Sequence, residues 1–213
     1  MLYQRVVKRG LDILLSALGL ILLSWLYLLL AAAVFVDDPG PVFFSQKRIG
    51  KNGTTFRLHK FRSRKRSTPH DVPTHLLENP EQYVTRIGRF LRRSSLDELP
   101  QIWDIFVGHM SIVGPRPALW NQDDLIAERE KYGANSIRPG LTGWAQINGR
   151  DELLIPEKAR LDGVYAEALR RGGMEAFRMD LKCFFGTLRP VATAEGVREG
   201  ALPERENQGR KEN

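Results

Sequence analysis

The sequence predicts a helix-rich α+β protein in which an apolar N-terminal helix precedes a small globular domain. Residues 13–36 form a run of 24 residues without a formal charge. As a helix, this run would reach about 36 Å and match a hydrocarbon core of about 30 Å. Prolines, a glycine and acidic turn formers at 37–41 then stop the helix. We therefore divide the chain into a membrane helix (1–40), a globular domain (41–190) and a polar tail that we predict to be disordered (191–213).

Basic residues flank the apolar run on both sides. Arg5, Lys8 and Arg9 precede it, and nine Lys and Arg residues lie between positions 47 and 66. Hydropathy alone favours a straight span. Basic flanks favour the cytoplasmic side, so a re-entrant helix, which leaves by the face it entered, satisfies both ends. Ser24 is the predicted break, because its hydroxyl can bond a backbone group that the bend frees. We predict that Tyr3 and the loop at Thr68 both lie on the cytoplasmic side.

The globular domain combines short strands with amphipathic helices. Residues 42–44 and 56–60 read as strands, and Asn52-Gly53 between them favours a hairpin turn. The last helical pattern carries bulky apolar residues beside basic ones, so that helix either faces the core or lies in the membrane interface. Helical periodicity appears in three stretches, 102–106, 161–169 and 177–188.

Composition restricts the kinds of partner. Lys and Arg total 32 against 25 Asp and Glu, a net charge of +7, which suits nucleic acid, anionic lipid headgroups or a nucleotide. The interleaved acidic residues and the apolar run argue against nucleic acid. Cys183 is the single cysteine and stands beside two phenylalanines, so we predict a buried structural thiol. The histidines lack the spacing of zinc ligands, and we predict no zinc site.

The densest group of reactive residues lies at 92–100. Ser95 and Glu98 have the spacing of a helix capping box, whereas Pro100 fits better if Asp97 is the N-cap. Either arrangement places Asp97 at a helix N-terminus, where free amides favour an anion. Arg92 adds positive charge. Asp97 and Glu98 also offer adjacent oxygen ligands for Mg²⁺.

Two further basic segments are rich in turn formers. At 114–117, prolines hold Arg116 on both sides, which suits a fixed guanidinium for phosphate, although a plain surface turn is the alternative. At 138–150, glycines allow close backbone approach to a ligand, and Trp144 either stacks on a base or packs in the core. Neither a Walker nor a Rossmann fingerprint is present. Together with the carboxylate pair, these loops indicate phosphoryl transfer at a membrane surface.

These motifs, in this order, resemble those of the bacterial sugar transferases, the monotopic polyprenol-phosphate phosphoglycosyl transferases, in their minimal short form. Two positions depart from the family pattern: Trp25 follows Ser24 where proline is usual, and Ser63-Arg64 stands where Thr-Met or Ser-Met is usual. The resemblance runs from about Lys8 to Pro190 and rests on Lys8-Arg9 with Asp12, and on residues 46–50, 60–62, 95–101, 110–117 and 138–144.

The resemblance implies a ping-pong reaction. Asp97 would attack the β-phosphorus of a UDP-sugar, release UMP and pass the phosphosugar to polyprenol phosphate, the first membrane step of surface glycan assembly. Glu98 would bind Mg²⁺ with Asp97 or manage protons. The substrate-binding positions are Lys60, Arg62, Arg92, Pro115, Arg116, Pro117, Arg138, Thr142 and Arg150.

The resemblance also sets expectations for the surroundings of the enzyme. We expect 41–190 to be a cytoplasmic catalytic domain at the bacterial inner membrane, in contact with membrane lipids and without nucleic acid. The sequence leaves the oligomeric state open, with a homodimer as one candidate. Two alternatives stay open: a membrane-bound glycosyl transferase that releases UDP, and a non-catalytic scaffold for polysaccharide assembly. The identity of the nucleotide product separates the two enzymes. The sequence leaves open the sugar, the carrier length and the pathway.

Overall fold

The computed structural model describes residues 2–68, 80–149 and 152–193. It is helix-rich α+β, as predicted, with two small two-stranded sheets. The tail from 194 onward, residues 69–79 of the polar loop, and Arg150 lie outside the described residues. A π-helical turn, Tyr3–Lys8, precedes the first α-helix. The helices are α1 Arg9–Leu22, α2 Ser24–Asp37, α3 Arg86–Arg93, α4 Gln101–Val107, α5 Asp123–Glu130, α6 Trp144–Ile147, α7 Ile155–Arg171 and α8 Gly173–Thr193, and the strands are β1 Phe43–Ile49, β2 Thr55–Phe61, β3 Ser111–Val113 and β4 Gly140–Thr142.

The apolar N-terminal run forms two helices that meet at an angle. The break is at Leu23 (φ −96°, ψ 4°), and the axes of the segments Tyr3–Leu22 and Ser24–Asp37 differ by 62°. The hydroxyl of Ser24 donates to the carbonyl of Ile21 at 2.8 Å, as a bent backbone requires. Among the described residues, no single helix is long and apolar enough to cross a membrane, while the bent pair together meets that test. Re-entrance itself remains a prediction.

Charged residues near the start of α1 tie this helix to the globular domain. Asp12 is buried and accepts the N–H of Ile112 in β3 at 2.9 Å. Arg9 donates to the carbonyl of Ile105 near the end of α4 at 2.7 Å. A buried carboxylate without such donors would be costly. The apolar helix is therefore fixed to the domain by polar contacts as well as by packing.

The predicted hairpin is confirmed. β1 and β2 pair antiparallel along their full length. Asn52 and Gly53 in the turn adopt the left-handed conformation, with φ of 54° and 72°. At the far end of β2, Phe61 packs with Leu30 and Val34 of α2. This contact brings the end of the hairpin up to the apolar helix.

Close contact between two backbone segments explains the glycines of 138–150. β3 and β4 form a parallel pair. A Cβ atom on Gly140 would lie 2.0 Å from the nitrogen of Gly114, and one on Gly143 would lie 2.1 Å from the oxygen of Gly114. These glycines let the two segments approach each other, whereas the sequence indicated approach to a ligand. Trp144 is partly buried and packs against the main core cluster, in line with one of its two predicted roles.

The two C-terminal helices were predicted correctly, but α8 divides its apolar residues. α7 ends at Gly172, whose φ is 73°. In α8, Cys183 is buried, as predicted, and Phe177 packs against the core. Phe184 and Phe185 point outward, and Phe185 is 60% exposed. The helix thus has a core face and an exposed apolar face, the second being typical of interfacial helices.

The bent helix pair predicts that both of its ends lie on the cytoplasmic side. Arg5 is exposed, unlike Tyr3, which is buried, so single cysteines are placed at Arg5 and Thr68 in a Cys183→Ala background. Neither cysteine should react with an impermeant maleimide in intact cells, and both should react in inverted membrane vesicles. Reaction of one site in intact cells and the other only in vesicles would indicate a spanning helix.

Candidate active site

Asp97 and Glu98 lie on a short turn ahead of α4. The turn is the 3₁₀ segment Leu96–Glu98, and the preceding Ser95 is left-handed, with φ of 57° and no capping hydrogen bond. The N-cap of α4 is Pro100, so both predictions of a side-chain cap were wrong. Proline has no N–H to satisfy at a helix start. The two carboxylates are consequently left for contacts with other parts of the chain.

Glu98 joins two basic residues from separate elements. Its Oε1 atom accepts from Nζ of Lys60 in β2 and from a guanidinium nitrogen of Arg116, each at 2.7 Å. The Lys60 ammonium also lies 3.7 Å from Oδ2 of Asp97. The side chains of Asp97 and Glu98 are only 12% and 13% exposed. The structure thus brings four of the predicted site residues into one partly desolvated cluster.

The two carboxylates differ in their electrostatics. Burial by itself raises the pKa of Glu98. The charges and hydrogen bonds of Arg116 and Lys60 together lower it by more, so the pKa of Glu98 lies well below its usual range. Burial raises the pKa of Asp97, and Glu98 adds to this. Lys60 and Arg92 offset the rise only in part. Glu98 is therefore a permanently ionised anchor, and Asp97 is the carboxylate whose charge is incompletely balanced.

Arg116 is presented by a loop that is held at both sides. The carbonyl of Pro115 accepts the N–H of Gly140 at 2.8 Å, and the carbonyl of Pro117 accepts from Arg48 at 3.0 Å. Burial and then the charge of Arg116 lower the pKa of Arg48 to about 10. Pro115 and Pro117 thus position Arg116 through their carbonyls. Arg48 was missed as a site residue, although it belongs to the motif at 46–50.

A buried aspartate helps to position Lys60 by binding the preceding residue, His59. Asp104 in α4 is fully buried, accepts the N–H of His59 at 2.9 Å and lies 2.8 Å from the Nδ1 atom of the same histidine. This contact fixes β2 against α4, one residue before Lys60. Tyr27 of α2 donates to the carbonyl of Leu99, which ties the apolar helix to the carboxylate turn. No sequence signal identified Asp104, because a lone aspartate in a helix has many ordinary explanations.

Several predicted substrate-binding residues have other partners. Arg62 is buried, and its guanidinium lies 3.5 Å from the carboxylate of Asp38. Arg138 donates to the carbonyl of Gly108 at 3.1 Å. Thr142 shares a hydrogen bond with a threonine of α8. Their roles toward a substrate remain predictions.

The carboxylate–cation cluster lies next to an apolar helix pair, and comparisons with known proteins identify the protein as a transferase. The chain belongs to the bacterial sugar transferase family, whose pattern matches residues 3–194. It is 43% identical over 154 residues to the UDP-glucose:undecaprenyl-phosphate glucose-1-phosphate transferase of Escherichia coli K12, covering 68% of this chain and 32% of that protein. It is 36% identical over 194 residues to the uncharacterized sugar transferase EpsL of Bacillus subtilis 168, covering 91% of each. It is 35% identical over 205 residues to the exopolysaccharide production protein ExoY of Sinorhizobium fredii, covering 90% of this chain and 88% of that protein.

Opposite pKa shifts predict opposite effects of two isosteric substitutions. Because folding raises the pKa of Asp97, its ionised form lowers the free energy of unfolding, and Asp97→Asn should raise the melting temperature near neutral pH. Because folding lowers the pKa of Glu98, its ionised form stabilises the protein above the unfolded value of about 4.3. Glu98→Gln should therefore lower the melting temperature. In a protein of this size, the melting temperature changes by about 2–4 °C for each kcal/mol of change in the free energy of unfolding.

The pH dependence of the two melting-temperature changes tests whether the pKa shifts cause them. As the pH falls through the raised pKa, wild-type Asp97 takes up a proton, so the advantage of Asp97→Asn should shrink. The deficit of Glu98→Gln should persist to lower pH and shrink only below about pH 4.3. Thermal unfolding of detergent-solubilised protein in steps from neutral pH to below about pH 4.3 measures both trends. A lower melting temperature for Asp97→Asn at neutral pH would contradict the account.

Proposed function

We propose that this enzyme transfers a sugar-1-phosphate from a UDP-sugar to polyprenol phosphate, releasing UMP, in exopolysaccharide synthesis. The observation that carries the proposal is the buried Asp97 beside the Glu98–Lys60–Arg116 cluster. Relatives from Escherichia coli and Xanthomonas campestris are named for the transfer of glucose 1-phosphate from UDP-glucose to undecaprenyl phosphate. UDP-glucose is accordingly the first donor to test. The same proposal places the domain at the cytoplasmic face of the inner membrane, in contact with lipids.

In the first half-reaction, an oxygen of Asp97 attacks the β-phosphorus of the donor. The new bond joins Asp97 to the phosphosugar, the bond from the β-phosphorus to the bridging oxygen breaks, and UMP leaves. Asp97 suits this role because burial and the neighbouring Glu98 raise its pKa, which nearby cations offset only in part. Lys60 and Arg116 are already held beside it by Glu98, so they meet the diphosphate without a large rearrangement.

In the second half-reaction, an oxygen of polyprenol phosphate attacks the same phosphorus. The bond to Asp97 breaks, and the product is a polyprenol diphosphate-sugar with Asp97 restored. Each half-reaction moves the same phosphoryl group, so one set of cations serves both. The hydrogen bond of Tyr27 to Leu99 supports this assignment, because it joins the carboxylate turn to the apolar helix from whose side a lipid phosphate would arrive.

Asp97 and Glu98 are the residues that we propose to hold Mg²⁺. Mg²⁺ commonly binds one or two carboxylates together with substrate phosphates and water, and the adjacent pair offers such a donor set. Among the described residues, no group of three or more His, Cys, Asp or Glu side chains is arranged to hold a metal, so substrate phosphates and water would supply the remaining ligands. The ion would neutralise the diphosphate charge.

Substitution of Asp97 tests the covalent step. With sugar-labelled donor and no lipid acceptor, the wild-type enzyme should retain label and release one UMP per active site. Asp97→Asn should lower UMP release by roughly 10⁴-fold or more and retain no label. Asp123→Asn, which changes an exposed carboxylate of α5, is the matched control and should behave as wild type.

Other outcomes identify other mechanisms. UMP that appears only when acceptor is present, with no retained label, would mean direct transfer, and Asp97 would then be a base or a metal ligand. Release of UDP would instead identify a glycosyl transferase.

Chelation tests the metal proposal. Excess EDTA should reduce the rate of UMP release by at least about tenfold, and added Mg²⁺ should restore it, because two carboxylates and a diphosphate need a counterion. Undiminished release in EDTA would exclude an essential divalent cation.

A further inference from the structure

A second basic pocket lies away from the carboxylate pair. The pocket measures about 490 Å³ and lies between the π-helical turn, the β1–β2 hairpin turn, the segment before β4 and the end of α7. Its volume falls within the range of about 300–1,000 Å³ that is usual for small-molecule sites. Its charged lining residues are Arg5, Lys8, Lys51, Arg138, Arg170 and Asp12.

Strand geometry separates this pocket from the proposed catalytic cluster. Arg138 lines the pocket just before β4, but the backbone there lies close to Gly114 and Pro115. The β1–β2 hairpin therefore supplies the separation. Lys51 lines the pocket from the hairpin turn, whereas Lys60 of the Glu98 cluster pairs with Phe44 near the open end of the hairpin.

Some of the charges that line the pocket are already balanced. Lys8 lies 3.1 Å from the carboxylate of Asp180. Arg170 lies 2.5 Å from the carboxylate of Glu167. The Lys8 pair is buried, whereas the Arg170 pair is exposed and shares Glu167 with Arg171. Lys8 therefore contributes little net charge to the pocket.

The remaining cations give the pocket its excess of positive charge. Within the described ranges, no carboxylate lies at ion-pair distance from Arg5, Lys51 or Arg138. Asp12 is buried, and its carboxylate accepts the N–H of Ile112. Three cations therefore surround a cavity whose one lining carboxylate is engaged with the protein, and the potential inside is positive.

We propose that this basic pocket binds the phosphate group of a ligand other than the sugar donor at Asp97. Arg138 is half-buried, and its planar guanidinium matches the geometry of a phosphate, while Lys51 and Arg5 at the mouth add point charges. The phosphate belongs either to a soluble phosphate ester or to an anionic lipid headgroup. These sources share the same recognition chemistry, and the experiment below separates them. The inference does not depend on the proposed reaction.

Calorimetric titration with inorganic pyrophosphate tests the pocket in nanodiscs of zwitterionic lipid. Wild-type protein should bind pyrophosphate at two sites. Lys51→Glu should weaken one of them by about tenfold or more, because it reverses a charge within a few ångströms of the bound anion. Lys131→Glu, an exposed lysine outside this pocket, is the control and should bind as wild type.

A variant of the catalytic cluster separates the two sites. Arg116→Ala should weaken the site that Lys51→Glu leaves intact and spare the site that Lys51→Glu weakens. If the Lys51→Glu variant binds two equivalents of pyrophosphate as tightly as the wild type, the basic pocket is not a phosphate site, whatever the Arg116→Ala variant shows. If Arg116→Ala has no effect while Lys51→Glu does, the proposed catalytic cluster fails and the basic pocket stands.

Lipid composition identifies the source of the phosphate. The titration is repeated in nanodiscs that contain phosphatidylglycerol. If the headgroup occupies the basic pocket, the Lys51-dependent pyrophosphate site should disappear in anionic nanodiscs. If the natural ligand is soluble, the site should persist in both lipids, apart from a weakening that Lys131→Glu shares. Either result supports a phosphate site, whereas absence of a Lys51-dependent site in zwitterionic nanodiscs overturns it.

Discussion

The buried carboxylate of Glu98, shared between Lys60 and Arg116, is the contact on which the site depends. It joins the β1–β2 hairpin, the 3₁₀ turn and the loop after β3 at one point. Loss of either cation would leave a poorly solvated charge with one partner, and breaking such a pair is commonly costly. The same two contacts prevent the cations from turning to solvent and hold them beside Asp97. The Glu98 carboxylate thus both stabilises the packing of these elements and holds the two cations in position for a phosphate ligand.

Outer contacts hold this cluster in place. Asp104 fixes the strand that carries Lys60, and Arg48 fixes the loop that carries Arg116. The glycines of β4 and its surroundings allow that loop to lie directly against the second sheet. Asp97 differs from Glu98, because burial raises its pKa and the neighbouring cations offset that rise only in part. A carboxylate with a perturbed pKa inside a well-supported cluster is typical of functional sites, which supports the proposed role of Asp97.

The apolar helices are integrated with this arrangement. Asp12 of α1 contacts the backbone of β3, and Tyr27 of α2 contacts the end of the carboxylate turn. Phe61, next to Lys60, packs on α2. Both basic residues of the cluster are therefore only a few residues from a contact with the apolar helices. Packing therefore fixes the position of the carboxylate–cation cluster relative to the apolar helices. This arrangement suits an enzyme that joins a soluble donor to a lipid acceptor.

The sequence by itself determined the local features: the hairpin at Asn52-Gly53, the stop after α2, the helices with clear periodicity and the buried Cys183. These follow from short-range patterns. It also identified Asp97, Glu98, Lys60 and Arg116, but only as members of separate motifs. Tertiary structure decided the pairings, because Lys60 and Arg116 lie 38 and 18 residues from Glu98 and no local pattern specifies such partners. It also showed that the Ser95 side chain makes no capping hydrogen bond and that Arg138 lines another pocket, because both depend on how distant segments pack.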